Sequence, residues 1–391
     1  MICVGIDVAK NKHDCFILSS EGEVLADVFT IPNSADGFDT LLQTIYRCAH
    51  PKDKIKVGLE ATGHYSYNIL GFLLDCGLPT YVINPLHTNL YRKSLSLRKT
   101  KTDRVDARTI ATMLMSDVDL KSYTDTAYHN EELKSLTRYR FDKVRERAKL
   151  KTSVSRLVTI LFPELETFVS SLHMTSVYAL LSEFPGAHQI AAAHLTHLTD
   201  VLRSSSKGRY GRDKAEQIRD AAKKSIGSKM PAKSMELKHT IRLIDELNAE
   251  IEEIETEIDS IMKVIQSPIT TIPGIGTCMA AVILAEVGDF SNFPSADKIL
   301  AYAGLSPSTY QSGQLTGSYS HMEKRGSRYL RFALFNATKY VCFWDPSFAA
   351  YLAKKRAEGK HYNVAISHAA KKLIRLIYAM QMSGQPYTPT T

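Results

Sequence analysis

Ile2-Cys3-Val4-Gly5-Ile6-Asp7 is a short apolar run that ends in an acid, and its reading decides the fold of the N-terminal part of the chain. Asp14 to Ser20 and Val24 to Thr30 flank Glu21-Gly22-Glu23, which has hairpin chemistry. Ala35 to Cys48 has helical spacing, Lys56 to Glu60 reads as a strand, His64 to Cys76 as a second helix, and Thr80 to Asn84 as a strand closed by Pro85. A hairpin sheet followed by strand and helix repeats predicts a mixed α/β domain.

The chain has 391 residues, enough for two domains and a connector. Apolar residues make up 44% and charged residues 23%, which excludes a mostly disordered or collagen-like chain. A formal net charge of +8 favours a polyanionic partner. The cysteines are scattered without a CxxC pair, so neither a disulfide framework nor a zinc module is expected. Ile2 to Val8 is too short for a signal segment, and the apolar runs Ile69 to Leu74 and Met279 to Ala285 fall short of a membrane span. A soluble protein of a reducing, cytoplasmic compartment, with no membrane partner, is the expectation.

From Asn89 the chain turns basic, with Arg92, Lys93, Arg98, Lys99, Lys101, Arg104 and Arg108. A second basic run, Lys134 to Arg156, is helix-compatible and interleaved with Tyr139 and Phe141. One such run is ordinarily a solvated helical face; repetition favours a nucleic-acid track. A third, Arg203 to Lys233, carries Ser204-Ser205-Ser206, Gly208 and Gly211 and reads as a flexible basic linker. Then the sign inverts. Ile244, Leu247, Ile251, Ile254, Ile258, Ile261 and Ile265 follow alternating spacing over about three heptads. That seam predicts a coiled-coil arm, and with it a homo-oligomer, or else a long helical hairpin.

Ile272-Pro273-Gly274-Ile275-Gly276 and the small apolar run after it read as a helix-hairpin-helix turn, where glycines let backbone N–H groups approach a phosphate. Lys324-Arg325-Gly326-Ser327-Arg328 leads into an apolar helix from Tyr329 to Val341, and Lys324, Arg325, Arg328 and Arg331 are candidate phosphate contacts. The expected domains are 1–160, an α/β domain with a basic helical extension; 161–233, a helical and basic linker region; 234–267, a coiled coil; 268–383, a helical C-terminal domain; and 384–391, a disordered tail.

Asp7, Glu60, Asp103 and Asp106 stand where strand ends or helix starts would expose them. Asp103 and Asp106 share one helical face. Converging carboxylates repel unless a hard dication lies among them, so the set predicts Mg²⁺ or Mn²⁺. Two such ions would stabilise both the attacking and the leaving oxygen at a phosphodiester. On a hairpin-first α/β order these acids look like a ribonuclease-H-type fold with a four-acid site. Lys10, Lys101, Arg104 and Arg108 surround the acids in sequence and suit backbone contacts.

Val4-Gly5-Ile6-Asp7-Val8-Ala9-Lys10, Gly58-Leu59-Glu60-Ala61-Thr62-Gly63, Lys101-Thr102-Asp103-Arg104-Val105-Asp106-Ala107, Pro273-Gly274-Ile275-Gly276 and Gln311-Ser312-Gly313 occur in one order along the chain. In that order they resemble the insertion-sequence-110 family of transposases, over roughly Met1 to Phe343. The resemblance implies a RuvC-like domain whose DEDD acids fall on Asp7, Glu60, Asp103 and Asp106, a coiled-coil connector, and a transposase domain with a nucleophilic serine. That serine falls on Ser312; many relatives have a further serine where this chain has Gln311, and Ser306, Ser308, Ser318 and Ser320 lie nearby.

The implied activity is DNA recombination through a phosphoserine intermediate assisted by Mg²⁺, at a composite site because acids and serine are far apart in sequence. Implied partners are DNA (element ends and target), a noncoding bridge RNA as in some members, and further subunits in a dimer or tetramer, at the nucleoid of a prokaryotic cytoplasm. With no recognisable helix-turn-helix or zinc finger, the sequence shows no base reader of its own, which is compatible with guidance by base pairing. Two rivals use the same residues. One is a metal-dependent endonuclease that hydrolyses DNA junctions without a covalent intermediate; the other is a non-catalytic nucleic-acid-binding protein.

Overall fold

A computed structural model describes residues 1–60, 63–83, 88, 91, 103–116, 125–306, 311–312, 315–316, 322 and 324–389. The chain divides into two compact units, Met1–Ala127 and Tyr128–Thr391.

The first unit is a mixed α/β fold. Strands β1 (Ile2–Val8), β2 (Lys12–Ser19) and β3 (Val24–Pro32) form an antiparallel meander, helix α1 (Ala35–Cys48) follows, and β4 (Ile55–Glu60), α2 (Tyr67–Asp75) and β5 (Thr80–Ile83) complete the set. The five-stranded sheet has the order β3-β2-β1-β4-β5, with β4 and β5 parallel to β1. Helix α3 (Asp103–Ser116) returns onto it. Because side chains alternate along a strand, β1 divides its residues between two faces. Ile2, Val4, Ile6 and Val8 pack with Leu41, Ile45 and Ile69 on the α1 and α2 side. Cys3 packs with Ala107, Ile110, Ala111 and Leu114 of α3 on the other. Ser34 caps α1, accepting from the Gly37 amide at 3.3 Å.

The second unit is helical. Its spine is α4 (Asp125–Leu161) and α10 (Pro231–Ile265). Between them come α5 (Leu165–Phe168), α6 (Thr175–Glu183), α7 (Ala187–Ala192), α8 (Leu195–Ser205) and α9 (Arg212–Lys223). After them come α11 (Thr277–Val287), α12 (Ala296–Tyr302), a small hairpin of β6 (Gln311–Ser312) and β7 (Leu315–Thr316), then α13 (Arg328–Trp344), α14 (Pro346–Ala357) and α15 (Tyr362–Ser383). Among the described residues no helix is long and apolar enough to cross a membrane.

Several expectations are revised here. The middle of the stretch read as a flexible linker folds as α9, because Ala215, Ile218 and Ala222 supply an apolar face to a core shared with α6 and α10. The heptad seam is buried within this chain: Ile244 and Ile258 are 0% exposed and Ile251 is 4% exposed. Its partner is α4, running antiparallel. Arg140 pairs with Glu255 at 2.5 Å, Lys143 with Glu250 at 2.6 Å and Arg156 with Glu236 at 2.9 Å, so α4 numbers rise as α10 numbers fall. Within this chain these isoleucines line a helical hairpin, the second of the two readings of the spacing. Three cations of the second basic run, Arg140, Lys143 and Arg156, are used in this ladder, and the run packs within the second unit.

The glycine turn read as a helix-hairpin-helix packs inward at Gly274. Gly274 has φ +91°, and a Cβ there would lie 2.7 Å from the Tyr340 carbonyl carbon. The close approach that glycine permits is to the backbone of α13. Tyr387, in the tail expected to be disordered, donates its amide to Thr271 Oγ1 at 2.8 Å and its hydroxyl to Asp345.

Candidate functional site

Asp7 sits near the C-terminal end of β1 and Glu60 at the end of β4. The two strands run parallel with Gly5 beside Gly58 and Ile6 beside Leu59, which brings the two acids to one edge of the sheet. By alternation, Asp7 shares a face with Cys3 and Gly5, and Glu60 shares it with Gly58. That face receives α3, and the glycines set how closely. A Cβ on Gly5 would fall 2.1 Å from the Ala107 carbonyl oxygen and 2.5 Å from the Ala111 amide nitrogen. Asp106 is the residue before Ala107 and is 6% exposed. Asp7 and Glu60 thus share the sheet face that receives α3, and Asp106 is buried on that helix. The Asp103 backbone belongs to the first turn of α3; its side chain lies outside the described residues.

A further acid shares this face, and sequence reasoning missed it. Asp14 on β2 stands directly opposite Asp7 in the antiparallel register. It is 7% exposed, accepts from the Thr30 hydroxyl, and has Lys12 Nζ at 4.0 Å. Like charges directly opposite across a ladder are unfavourable unless a cation intervenes. An all-oxygen donor set of this kind suits a hard dication. Among the described residues, no group of three or more His, Cys, Asp or Glu side chains is drawn together tightly enough to hold a metal ion.

The basic residues expected around the acids divide. Arg108 places its guanidinium 4.9 Å from the Phe16 ring centroid and 3.9 Å from Asp27. Lys10 is exposed in the β1–β2 turn, where its carbonyl accepts from Asn33 Nδ2 at 3.0 Å. Lys101 and the Arg104 side chain lie outside the described residues.

In the second unit, Ser312 ends β6 and is paired with Leu315 across the short hairpin. Gly313, Ser308, Ser318 and Ser320 lie outside the described residues, as does the Ser312 side chain. The base of this stretch is braced. Ser327 N donates to the Tyr302 carbonyl at 2.9 Å. Arg331 Nη1 donates to the carbonyls of Ala303 and Lys324, both at 3.1 Å. Gly304 (φ +67°) and Gly326 (φ +90°) permit the close backbone approach. Arg331, read as a phosphate contact, therefore also holds the two arms of the loop together. Arg325 is exposed, and Arg328 donates to the Tyr329 hydroxyl at 2.7 Å.

Behind the loop, Glu286 of α11 is fully buried and accepts from Arg138 Nε at 2.6 Å and Nη2 at 3.0 Å. Its second oxygen also accepts from the Ser327 hydroxyl at 2.6 Å, and Ser327 Oγ in turn caps α13 by accepting from the Leu330 amide at 3.1 Å. The hydrogen bond to Glu286, more than the burial that opposes it, holds Arg138 above the ordinary arginine range.

The chain thus joins an α/β unit with acids on one sheet face to a helical unit with a short hairpin and a basic helix start, and its relatives mark it as an enzyme that acts on DNA. Family comparisons define it further. Residues 4–163 match a transposase model of the IS110 DEDD type, and residues 266–353 match the transposase model of the IS116/IS110/IS902 family. The chain belongs to the IS110 family of transposases. It is 26% identical to an uncharacterized 44.8 kDa protein of insertion element IS116 from Streptomyces clavuligerus, over 99% of this chain and 96% of that one. It is 25% identical to the pilin gene-inverting protein of Moraxella bovis, over 98% and 97% of the two chains. A putative-transposase relative from the IS117 mini-circle of Streptomyces coelicolor is 26% identical over 79% of this chain and 77% of its own.

Proposed function

We propose that this protein is a DNA recombinase that cuts and rejoins strands through Ser312, with Asp7, Glu60, Asp103 and Asp106 as the acids that serve the same reaction. The reading is supported by Asp7 and Glu60 standing on the sheet face that receives α3, by the burial of Asp106 on that helix, and by the family matches in both units. In the reaction, a bond forms between Ser312 Oγ and the scissile phosphorus as the phosphorus–oxygen bond to the strand breaks. The serine proton passes to a base, and the displaced oxygen leaves as a strand-terminal hydroxyl. The phosphoserine ester conserves the phosphodiester for rejoining, which the reversed step completes when a strand hydroxyl attacks it.

Asp7, Glu60, Asp103 and Asp106 would hold Mg²⁺ or Mn²⁺, which when bound supplies charge stabilisation at the phosphodiester. Lys10, Lys101, Arg104 and Arg108 would contact the strand backbone near the acids, and Lys324, Arg325, Arg328 and Arg331 near the serine. Site choice would fall to a bridge RNA, and the working form would be a dimer or tetramer in the cytoplasm of a bacterium. Inversion belongs among the candidate products, since the Moraxella relatives are named for it.

The test is a denaturing gel of the purified protein with its accompanying RNA, Mg²⁺ and DNA carrying the element's joined ends. Protein-linked DNA seen with wild type and absent with Ser312→Ala and Asp7→Ala is the expected result. Free cut ends from wild type, with Ser312→Ala cutting equally well, would replace the reading with hydrolysis by a metal-dependent nuclease. Binding unchanged in Asp7→Ala with no cutting by any form would leave only a nucleic-acid-binding protein.

A further inference from the structure

The second unit holds a cavity of about 890 Å³ beside the loop base, and its aromatic lining has no part in the chemistry above. Its volume lies within the ~300–1,000 Å³ of pockets that bury small ligands. Phe141 of α4 and Phe332 and Phe335 of α13 supply its aromatic lining. Phe141 meets Phe332 edge-on with centroids 5.0 Å apart and meets Tyr329 likewise, which fixes the rings against one another. Phe332 is nevertheless 49% exposed. A fixed, half-open aromatic ring is a stacking platform.

The same cavity is lined by Lys324, Arg328 and Lys371, and its described lining contains no aspartate or glutamate. Asn336, Asn363 and Ser367 add neutral donors and acceptors. Two of its lining residues, Leu305 and Lys324, flank the stretch that carries Ser312.

An apolar peptide would match the rings and leave the cations unanswered. A free phosphate would match the cations and leave the rings uncovered. A nucleotide answers both. We propose that this cavity takes one unpaired nucleotide, its base stacked on Phe332, which packs edge-on against Phe141, and its phosphate held by Lys324, Arg328 and Lys371. An unpaired base seated here would fix the register of the strand running past the serine loop. Naming that strand as one being cut rests on the proposed function; the binding itself does not.

The test uses full-length Ser312→Ala protein, so that no strand is consumed. Short single strands of DNA and of RNA carrying 5-iodouracil, and the matching DNA duplex, are titrated by fluorescence anisotropy, then photo-crosslinked and mapped by mass spectrometry. Crosslinks on peptides holding Phe141 or Phe332 are expected. Adding Phe332→Ala should weaken single-strand binding about 10-fold and leave duplex binding unchanged, while Phe332→Tyr restores it. Preference for DNA or for RNA names the source of the nucleotide. Crosslinks confined to other peptides, or unaltered single-strand affinity in a folded Phe332→Ala protein, would overturn the proposal. A wild-type protein that forms no DNA adduct yet gives these crosslinks would lose the serine chemistry and keep this site.

Discussion

Arg138 reaches across from α4 to place two guanidinium nitrogens on the fully buried carboxylate of Glu286, at 2.6 and 3.0 Å, while 41% of its own side chain stays exposed. The pair is therefore asymmetric. Glu286→Ala leaves an arginine that can hydrate; Arg138→Ala leaves a buried carboxylate with the Ser327 hydroxyl. Removing one partner of a buried pair costs about 3–5 kcal/mol, and the carboxylate left behind places Arg138→Ala at the upper end. Urea denaturation should rank Arg138→Ala below Glu286→Ala, with the double variant recovering part of the loss. Equal stability of the two single variants would contradict this account.

Gly5 and Gly58 give a graded prediction about the acid face. A Cβ at Gly5 meets backbone, the Ala107 carbonyl oxygen at 2.1 Å, whereas at Gly58 it meets the Leu114 and Ile110 side chains at 2.8 and 2.9 Å. Side chains can change rotamer and a helix backbone cannot. Gly5→Ala should cost about 3 kcal/mol and push α3, with Asp106, off the sheet, while Gly58→Ala costs about 1 kcal/mol. DNA cleavage should fall with Gly5→Ala although no acid is altered. Equal stability of the two variants would show that α3 does not pack as described.

Much of this was legible in the sequence and some was not, for identifiable reasons. The apolar run Ile2 to Asp7 and the helical spacing of Ala35 to Cys48 made β1 and α1 legible. Register is not in that signal, and it is the β1–β2 register that places Asp14 opposite Asp7. The isoleucine seam of α10 announces that something covers it without saying what. Its cover, α4, was disguised by Arg140, Lys143 and Arg156, which look like a nucleic-acid track until Glu255, Glu250 and Glu236 are seen across from them. Gly274 announces a close backbone approach, and only the fold shows that Tyr340 makes it.

His13 makes the first unit sensitive to acid. It is 0% exposed, stacked 5.9 Å from Phe38, and burial holds it below the ordinary histidine range, with Asn33 and Asp14 offsetting part of the effect. A depressed folded pKa means that unfolding takes up a proton. Stability is then full above the unfolded value of about 6.5 and is lost as pH falls through the folded one. Hydrogen exchange of the β2 amides should accelerate between about pH 7 and 5 once corrected for intrinsic rates. In His13→Asn that extra pH dependence should vanish; its persistence would assign the effect to another group.

Arg331 separates bracing from phosphate contact. Its Nη1 ties the carbonyls of Ala303 and Lys324, the two arms of the stretch that contains Ser312. A lysine at this position has a single ammonium on a flexible stem and cannot reproduce the guanidinium's planar fork. If bracing dominates, Arg331→Lys should lower adduct formation about tenfold while leaving DNA affinity and its salt dependence near wild type. A cation whose main work is on phosphate would give the opposite pattern. Arg331→Lys would then keep activity because the charge is kept, and Arg331→Met would weaken binding and reduce the salt slope by about one. Measuring affinity across a salt series beside adduct yield, for both variants, decides between them. Bracing is the expected outcome, because a nitrogen already committed to two carbonyls must give up both before it can turn to a phosphate.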